Sequence, residues 1–157
     1  MYRNELMVHI REYVGGEYPT RKGACLTKTR WATLVENLDE IDEAVRSLKN
    51  DQPVDFSQHL GGKYYATVFK GVKCVNIRKF FLPPGCKKER PTRTGIYLRL
   101  GEWETLKDKI EEIHERLPEL KVAKPCYRGE DHYNQMNCVE CSECNPFGVE
   151  TYGLYNV

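Results

Sequence analysis

No run of the 157 residues approaches the roughly 20 consecutive apolar positions that a membrane-spanning helix needs. The N-terminal Met1-Tyr2-Arg3-Asn4-Glu5-Leu6 passes into an alternating pattern without the apolar centre of a secretory signal, so neither membrane insertion nor secretion is expected. No Ser/His/Asp grouping, glycine-rich phosphate loop or paired-carboxylate site is present, and the acidic residues gather on helical patterns where solvation is the default. An enzyme is not expected. Histidine is scarce, and His9, His59 and His114 stand apart from one another, which reads as solvated rather than ligating. Excess charge is missing too: the net value of +1 by itself gives no reason to think of a polyanionic partner. The seven cysteines cannot all pair, and with four of them crowded at the C-terminal end they suit a reducing compartment better than a disulfide framework.

What is there is an internal repeat. Val8-His9-Ile10-Arg11-Glu12-Tyr13, then Pro19-Thr20-Arg21-Lys22-Gly23-Ala24-Cys25-Leu26, then Trp31, Leu34, Leu38 and Ile41, return as Val75-Asn76-Ile77-Arg78-Lys79-Phe80, Pro91-Thr92-Arg93-Thr94-Gly95-Ile96-Tyr97-Leu98, and Trp103, Leu106, Ile110 and Ile113. The offset is 67 residues before the connecting loop and 72 after it, so the second copy carries a lengthened loop while order and chemistry persist. Three units follow: residues 1–50, a partial strand-strand-helix copy; 55–120, a complete copy; and 121–157, a Cys-rich tail.

Alternation of Leu6, Val8 and Ile10 predicts a strand over about 6–14, ended by Gly15-Gly16, and a second strand spans about 22–27. Thr27 or Thr29 is the candidate cap of a helix whose stripe is Trp31, Leu34, Leu38, Ile41, Val45 and Leu48. In the second copy, 63–70 and 73–82 read as a hairpin turning at Lys70-Gly71, with a short strand at Gln58–Leu60 before it and another at about 94–99 after it. A helix with Trp103, Leu106, Ile110, Ile113 and Leu117 then runs to Pro118. Arg99 stands where the first copy has Thr27, and arginine has no acceptor with which to cap a helix. Two matching seams predict helix-on-helix packing between the copies. The small first sheet is expected to borrow a partner strand, for which Val149–Val157 has β-forming residues.

Charge is polarised within each copy. Residues 55–100 hold ten Lys/Arg against two Asp/Glu, whereas 101–120 hold three against seven; residues 1–30 hold six against three, and 31–54 two against six. Basic strands and acidic helices are the electrostatic footprint of a polyanion-binding sheet. Sequence-tolerant binding of single strands needs cations spaced along a groove and aromatic faces on which bases stack, and both occur on the second copy's strands. Period-two alternation requires one of Phe80 and Phe81 to face away from the Val75/Ile77 side.

Phe69-Lys70-Gly71, Val75 through Phe81, Pro91 through Leu98, and Trp103-Glu104-Thr105-Leu106-Lys107 together resemble the single-stranded-DNA-binding domain of the transcriptional coactivator family called positive cofactor four. The resemblance covers roughly residues 56–120, and the first copy matches the latter half of that domain. It implies an α+β fold in which a curved antiparallel sheet is followed by a long helix (ββββα), here duplicated in one chain as a pseudo-dimer packed through its helices. It further implies binding of single-stranded or melted DNA in transcription regulation or genome maintenance, partners in the transcription machinery, and a nuclear location. Phe69, Lys70, Arg78 and Arg93 stand at the family's aromatic and basic contact positions, and Phe81 where a tryptophan is common; Lys63 and Lys73, with Lys87 and Lys88, add charge nearby. In the first copy Arg11, Tyr13, Arg21 and Lys22 are the counterparts. The alternative is a protein-interaction module on the same scaffold, with no nucleic acid bound.

The tail carries a separate motif. Cys126, His132, Cys138, Cys141 and Cys144 fall within nineteen residues, and the two overlapping C-x-x-C knuckles predict one structural zinc held by Cys126, Cys138, Cys141 and Cys144, with His132 as a substitute ligand. Free thiols, a labile disulfide or a thiol-based redox regulator are the alternatives. Cys25, Cys74 and Cys86 are isolated.

Overall fold

A computed structural model of the chain describes residues 5–129, 132 and 134–148. The proposed strand at Val149–Val157 lies outside the described residues.

The fold is mixed α+β with two antiparallel sheets. Strands β1 (Met7–Val14) and β2 (Tyr18–Thr27) form one sheet, and β3 (Asp55–Gly61), β4 (Tyr64–Phe69), β5 (Cys74–Phe81) and β6 (Arg90–Arg99) form the other in that order. Helices α1 (Lys28–Glu36) and α2 (Leu38–Lys49) follow the first sheet, and α3 (Leu100–Arg116) and α4 (Pro118–Val122) follow the second; the tail adds a 3-10 turn (Cys126–Arg128) and α5 (Gln135–Glu140). β2 and β6 start earlier than their alternation suggests, at Tyr18 and Arg90. Pro19 and Pro91 are tolerated because each pairs across a register shift, Tyr13 with Pro19 and Phe80 with Pro91. The short strand expected at Gln58–Leu60 extends over all of β3.

The seam predicted as one helix is two. Asn37 interrupts it with φ −102° and ψ 17°, its side-chain amide donating to the Thr33 carbonyl at 2.7 Å, the local competition by which Asn breaks helices. The apolar stripe nevertheless continues across the break, with Trp31, Leu34, Ile41, Val45 and Leu48 all buried. Thr27 caps α1, its hydroxyl accepting from the Arg30 N–H at 3.3 Å. At the other helix Arg99 does not cap; instead Glu102 accepts the Arg99 N–H at 3.1 Å.

One apolar cluster includes residues of both copies, among them Leu26, Trp31, Leu34 and Ile41 with Val75, Ile77, Trp103 and Ile110, and β2 lies against β6. The two fully buried tryptophans make a reciprocal pair of bonds. Trp31 Nε1 donates to His114 Nε2 at 3.0 Å, and Trp103 Nε1 donates to Asp42 Oδ1 at 2.9 Å. The repeat offset of 72 that relates Trp31 to Trp103 also relates Asp42 to His114. Each copy's tryptophan thus reaches the same repeat position in the other copy. Asp42 is further held by Lys107 at 2.8 Å.

His114, expected to be solvated, is half-buried and works as an acceptor, which requires a neutral ring. Burial, reinforced by Lys121, holds its pKa below the ordinary histidine value of 6.5. As pH falls through 6.5 the unfolded chain therefore takes up a proton before the folded one, and stability that is present above this value is lost below it. Melting temperatures at pH 7.5 and 5.5 should show a larger fall for the native chain than for His114→Gln, which keeps an acceptor that does not titrate.

Candidate nucleic-acid interface

Register places two faces on the four-stranded sheet. Ala66, Ile77 and Ile96 align on the core side, while Thr67, Asn76 and Tyr97 align on the other, as do Tyr65, Arg78 and Gly95. This second face holds a continuous polar floor. Asn76 Nδ2 donates to Thr67 Oγ1 at 3.3 Å, Arg78 Nε donates to Asn76 Oδ1 at 3.1 Å, and Arg78 Nη1 donates to the Thr92 carbonyl at 2.9 Å. The Arg78 guanidinium also lies under the Tyr97 ring, 4.7 Å from its centroid. Gly95 makes room for this arginine, since a Cβ there would stand 2.7 Å from Arg78 Cβ and from the Ile77 carbonyl oxygen.

Arg78 therefore differs from the expectation of a free phosphate contact: it is 8% exposed and bonded within the sheet. The first copy repeats the arrangement. Arg11 faces Gly23 and donates to the Thr20 carbonyl at 2.8 Å, and Thr20 and Thr92 each donate back across the strand pair, to Glu12 and Lys79. Both arginines brace their strand pair beside its register shift. Replacing Arg78 with alanine leaves Asn76 and Thr92 without their donor, so a stability loss of about 1–3 kcal/mol is expected in urea denaturation.

The open aromatic surface lies above this floor. Tyr97 is 54% exposed and Phe69 39%. On β5 the ring on the Arg78 side is Phe80, packed edge-on against Tyr65 with centroids 5.1 Å apart, while Phe81 lies exposed at the strand end. Exposed cations stand at both ends of β4. Lys63 precedes it in the β3–β4 turn, its ammonium 6.0 Å from the centroid of the Phe147 ring, and Lys70 and Lys73 follow it beside Phe69, while Arg93 is exposed on β6. Six strand residues separate the two ends, about 20 Å. Tyr97 is not among the contacts expected from the sequence, although its opposite parity to Ile96 and Leu98 puts it on the basic face.

The first copy is poorer in such groups. Tyr13 is exposed and matches Phe80, but Cys25 stands at the Tyr97 position and contacts His9 at 3.3 Å, and among the described residues no strand of the first copy carries a counterpart of Phe69. Arg21 and Lys22 are exposed, Lys22 pairing loosely with Glu12 at 3.7 Å.

In the tail, the ligand atoms of Cys126, His132, Cys141 and Cys144 all lie within 4.8 Å of one another. Four tetrahedral donors at zinc distances would stand about 3.8 Å apart, so a small contraction suffices. Cys138, expected as a ligand, is outside the group: it sits on α5 with its thiol directed to the His132 carbonyl at 3.2 Å. His132 takes its place. Both ring nitrogens of His132 are buried, and neither meets hydrogen-bond geometry although the ring lies close enough to the Cys141 thiol to act on it, so the histidine has a lone pair to offer a metal ion. Burial pushes the Cys126 and Cys144 thiols up. Burial also raises Cys141, but the adjacent His132 and the backbone N–H groups of Cys144 and Glu143 outweigh it and bring this thiol to about 7. The group is a Cys/His cluster able to hold a metal ion.

The chain is 36% identical over 77 residues to a Caenorhabditis elegans protein named "Putative RNA polymerase II transcriptional coactivator", a match covering 48% of this chain and 62% of that protein. The match therefore spans less than two thirds of the relative's length. No solved structure matches. The model of the family described as Transcriptional Coactivator p15 (PC4) matches residues 1–37 and again 59–109, one segment in each copy. With more than half of its residues so matched, and with the repeated arginine-over-glycine strand pair and buried tryptophan in both segments, the chain belongs to the transcriptional coactivator p15 (PC4) family.

Proposed function

We propose that this protein binds single-stranded or locally melted DNA across the second copy's sheet and acts, without catalysing a reaction, in transcription regulation or genome maintenance. The observation that carries this reading is one strand face that offers Tyr97 and Phe69 as open rings and Lys63, Lys70, Lys73 and Arg93 as exposed cations at its ends. Bases stack on the rings, phosphates meet the cations, and the Asn76–Arg78 floor holds Tyr97 in place. Phe81 extends the surface at the strand end. A duplex exposes no base faces and is the poorer ligand.

The reciprocal Trp31–His114 and Trp103–Asp42 bonds support an intramolecular pseudo-dimer of residues 1–50 with 55–120. The first copy serves mainly as the scaffold half, with Tyr13, Arg21 and Lys22 as subsidiary contacts beside the structural Arg11. The tail, residues 121–157, holds one structural zinc through Cys126, His132, Cys141 and Cys144. Family membership supports a nuclear location and contacts with the transcription machinery. NMR titration with a short oligothymidylate tests the placement. Shifts should concentrate on residues 63–81 and 90–99, and shifts confined to the helices or to the first copy would contradict it.

A further inference from the structure

Glu143 lies between two members of the Cys/His cluster, Cys141 and Cys144, and it reaches both copies. Its carboxylate accepts Arg30 Nε at 3.0 Å and Arg30 Nη2 at 2.7 Å, a two-pronged pair with side chains only 19% and 24% exposed. Its backbone carbonyl accepts the Gly62 N–H at 3.0 Å. Arg30 belongs to α1 of the first copy, and Gly62 to the β3–β4 turn of the second. The same guanidinium lies over the Tyr64 ring, 5.4 Å from its centroid.

The turn is shaped for this contact. Gly61 and Gly62 both have positive φ, 131° and 56°. A Cβ on Gly61 would stand 2.6 Å from Glu143 Oε2, and one on Gly62 2.5 Å from Arg30 Nη2. At the other side of the cluster, Tyr127 and Arg128, next to Cys126, both bond the Glu36 carboxylate, which closes α1. Both halves of the ligand set are therefore tied to one helix, and one half also to the opposite sheet.

We propose that the tail's metal site is a clamp: zinc bound by Cys126, His132, Cys141 and Cys144 fixes the 141–144 knuckle so that Glu143 fastens α1 of the first copy to the β3–β4 turn of the second. This rests on the zinc reading above and adds what the metal does. An ion pair on an unanchored loop contributes little, because the entropy lost in ordering the loop offsets the attraction. Ligands on both sides of Glu143 place that ordering cost on the metal bonds instead. The coupling is reciprocal, so the Arg30–Glu143 pair must strengthen zinc binding to the extent that zinc strengthens the clasp.

The test uses the full chain and zinc itself, with a chelating indicator as competitor. Native protein should hold one zinc, and its removal should speed exchange of the Gly62 amide by about tenfold or more while the central β4 and β5 amides stay protected. Glu143→Gln and Arg30→Met should still take up one zinc, with affinity lowered about tenfold. Unchanged zinc affinity in both variants, or Gly62 exchange indifferent to metal removal, overturns the clamp while leaving the zinc site standing. A native chain that takes up no zinc overturns both, and stoichiometry alone tells the two failures apart. The metal-removal arm needs no substitution, so a variant that fails to fold does not blunt the test.

Discussion

Replacing Phe69 or Tyr97 with alanine is expected to weaken binding of a short single strand by about 1–3 kcal/mol each, roughly five- to more than a hundredfold, with little change in salt dependence. Stacking is not ionic, so removing a ring lowers affinity at every salt concentration alike. The cations should behave differently. If Lys63, Lys70, Lys73 and Arg93 neutralise about four phosphates, the slope of log affinity against log salt is about −3, and a fourfold rise in salt weakens binding about fiftyfold. Alanine at any one of them should flatten that slope by about 0.7. Fluorescence titrations at several salt concentrations separate the two classes. Ring and cation variants with the same signature, or none affecting binding, would favour the protein-interaction alternative. Arg78 is a poor member of such a series, because its loss disturbs the sheet itself.

Trp31→Ala and Trp103→Ala should each cost about 3–5 kcal/mol, since each empties a fully buried site and strips a partner from the opposite copy. For a domain of this size that corresponds to a fall in Tm of roughly 6–20 °C. The form of the transition matters as much as its size. One core containing both tryptophans predicts one cooperative transition, displaced by either substitution. Calorimetry showing two transitions, with only the substituted copy's moved, would mean that the copies fold as separate modules.

The strand-turn-strand-helix order was legible because period-two alternation and the three-four helical stripe are properties of adjacent residues. The acceptors of the tryptophan bonds were not. Asp42 and His114 lie off the apolar seams and look like solvated polar residues until the two copies are placed together. Arg78 read as a contact because its charge is visible in the chain, whereas the Gly95 hollow and the Thr92 carbonyl that occupy it depend on a register shift between β5 and β6. Cys138 stands outside the Cys/His group for a similar reason. C-x-x-C spacing sets reach, but α5 sets direction, and His132 rather than Cys138 joins the group. Asn37 breaks the first helix through its own side chain, which a stripe of apolar residues does not register.

The most direct measurement is the affinity of the full chain for a single-stranded oligonucleotide against the same sequence as a duplex, at low and physiological salt. The account predicts tighter binding of the single strand at both, with the preference kept as salt rises because stacking is retained. Equal affinity for the two forms, or binding of neither, would contradict it.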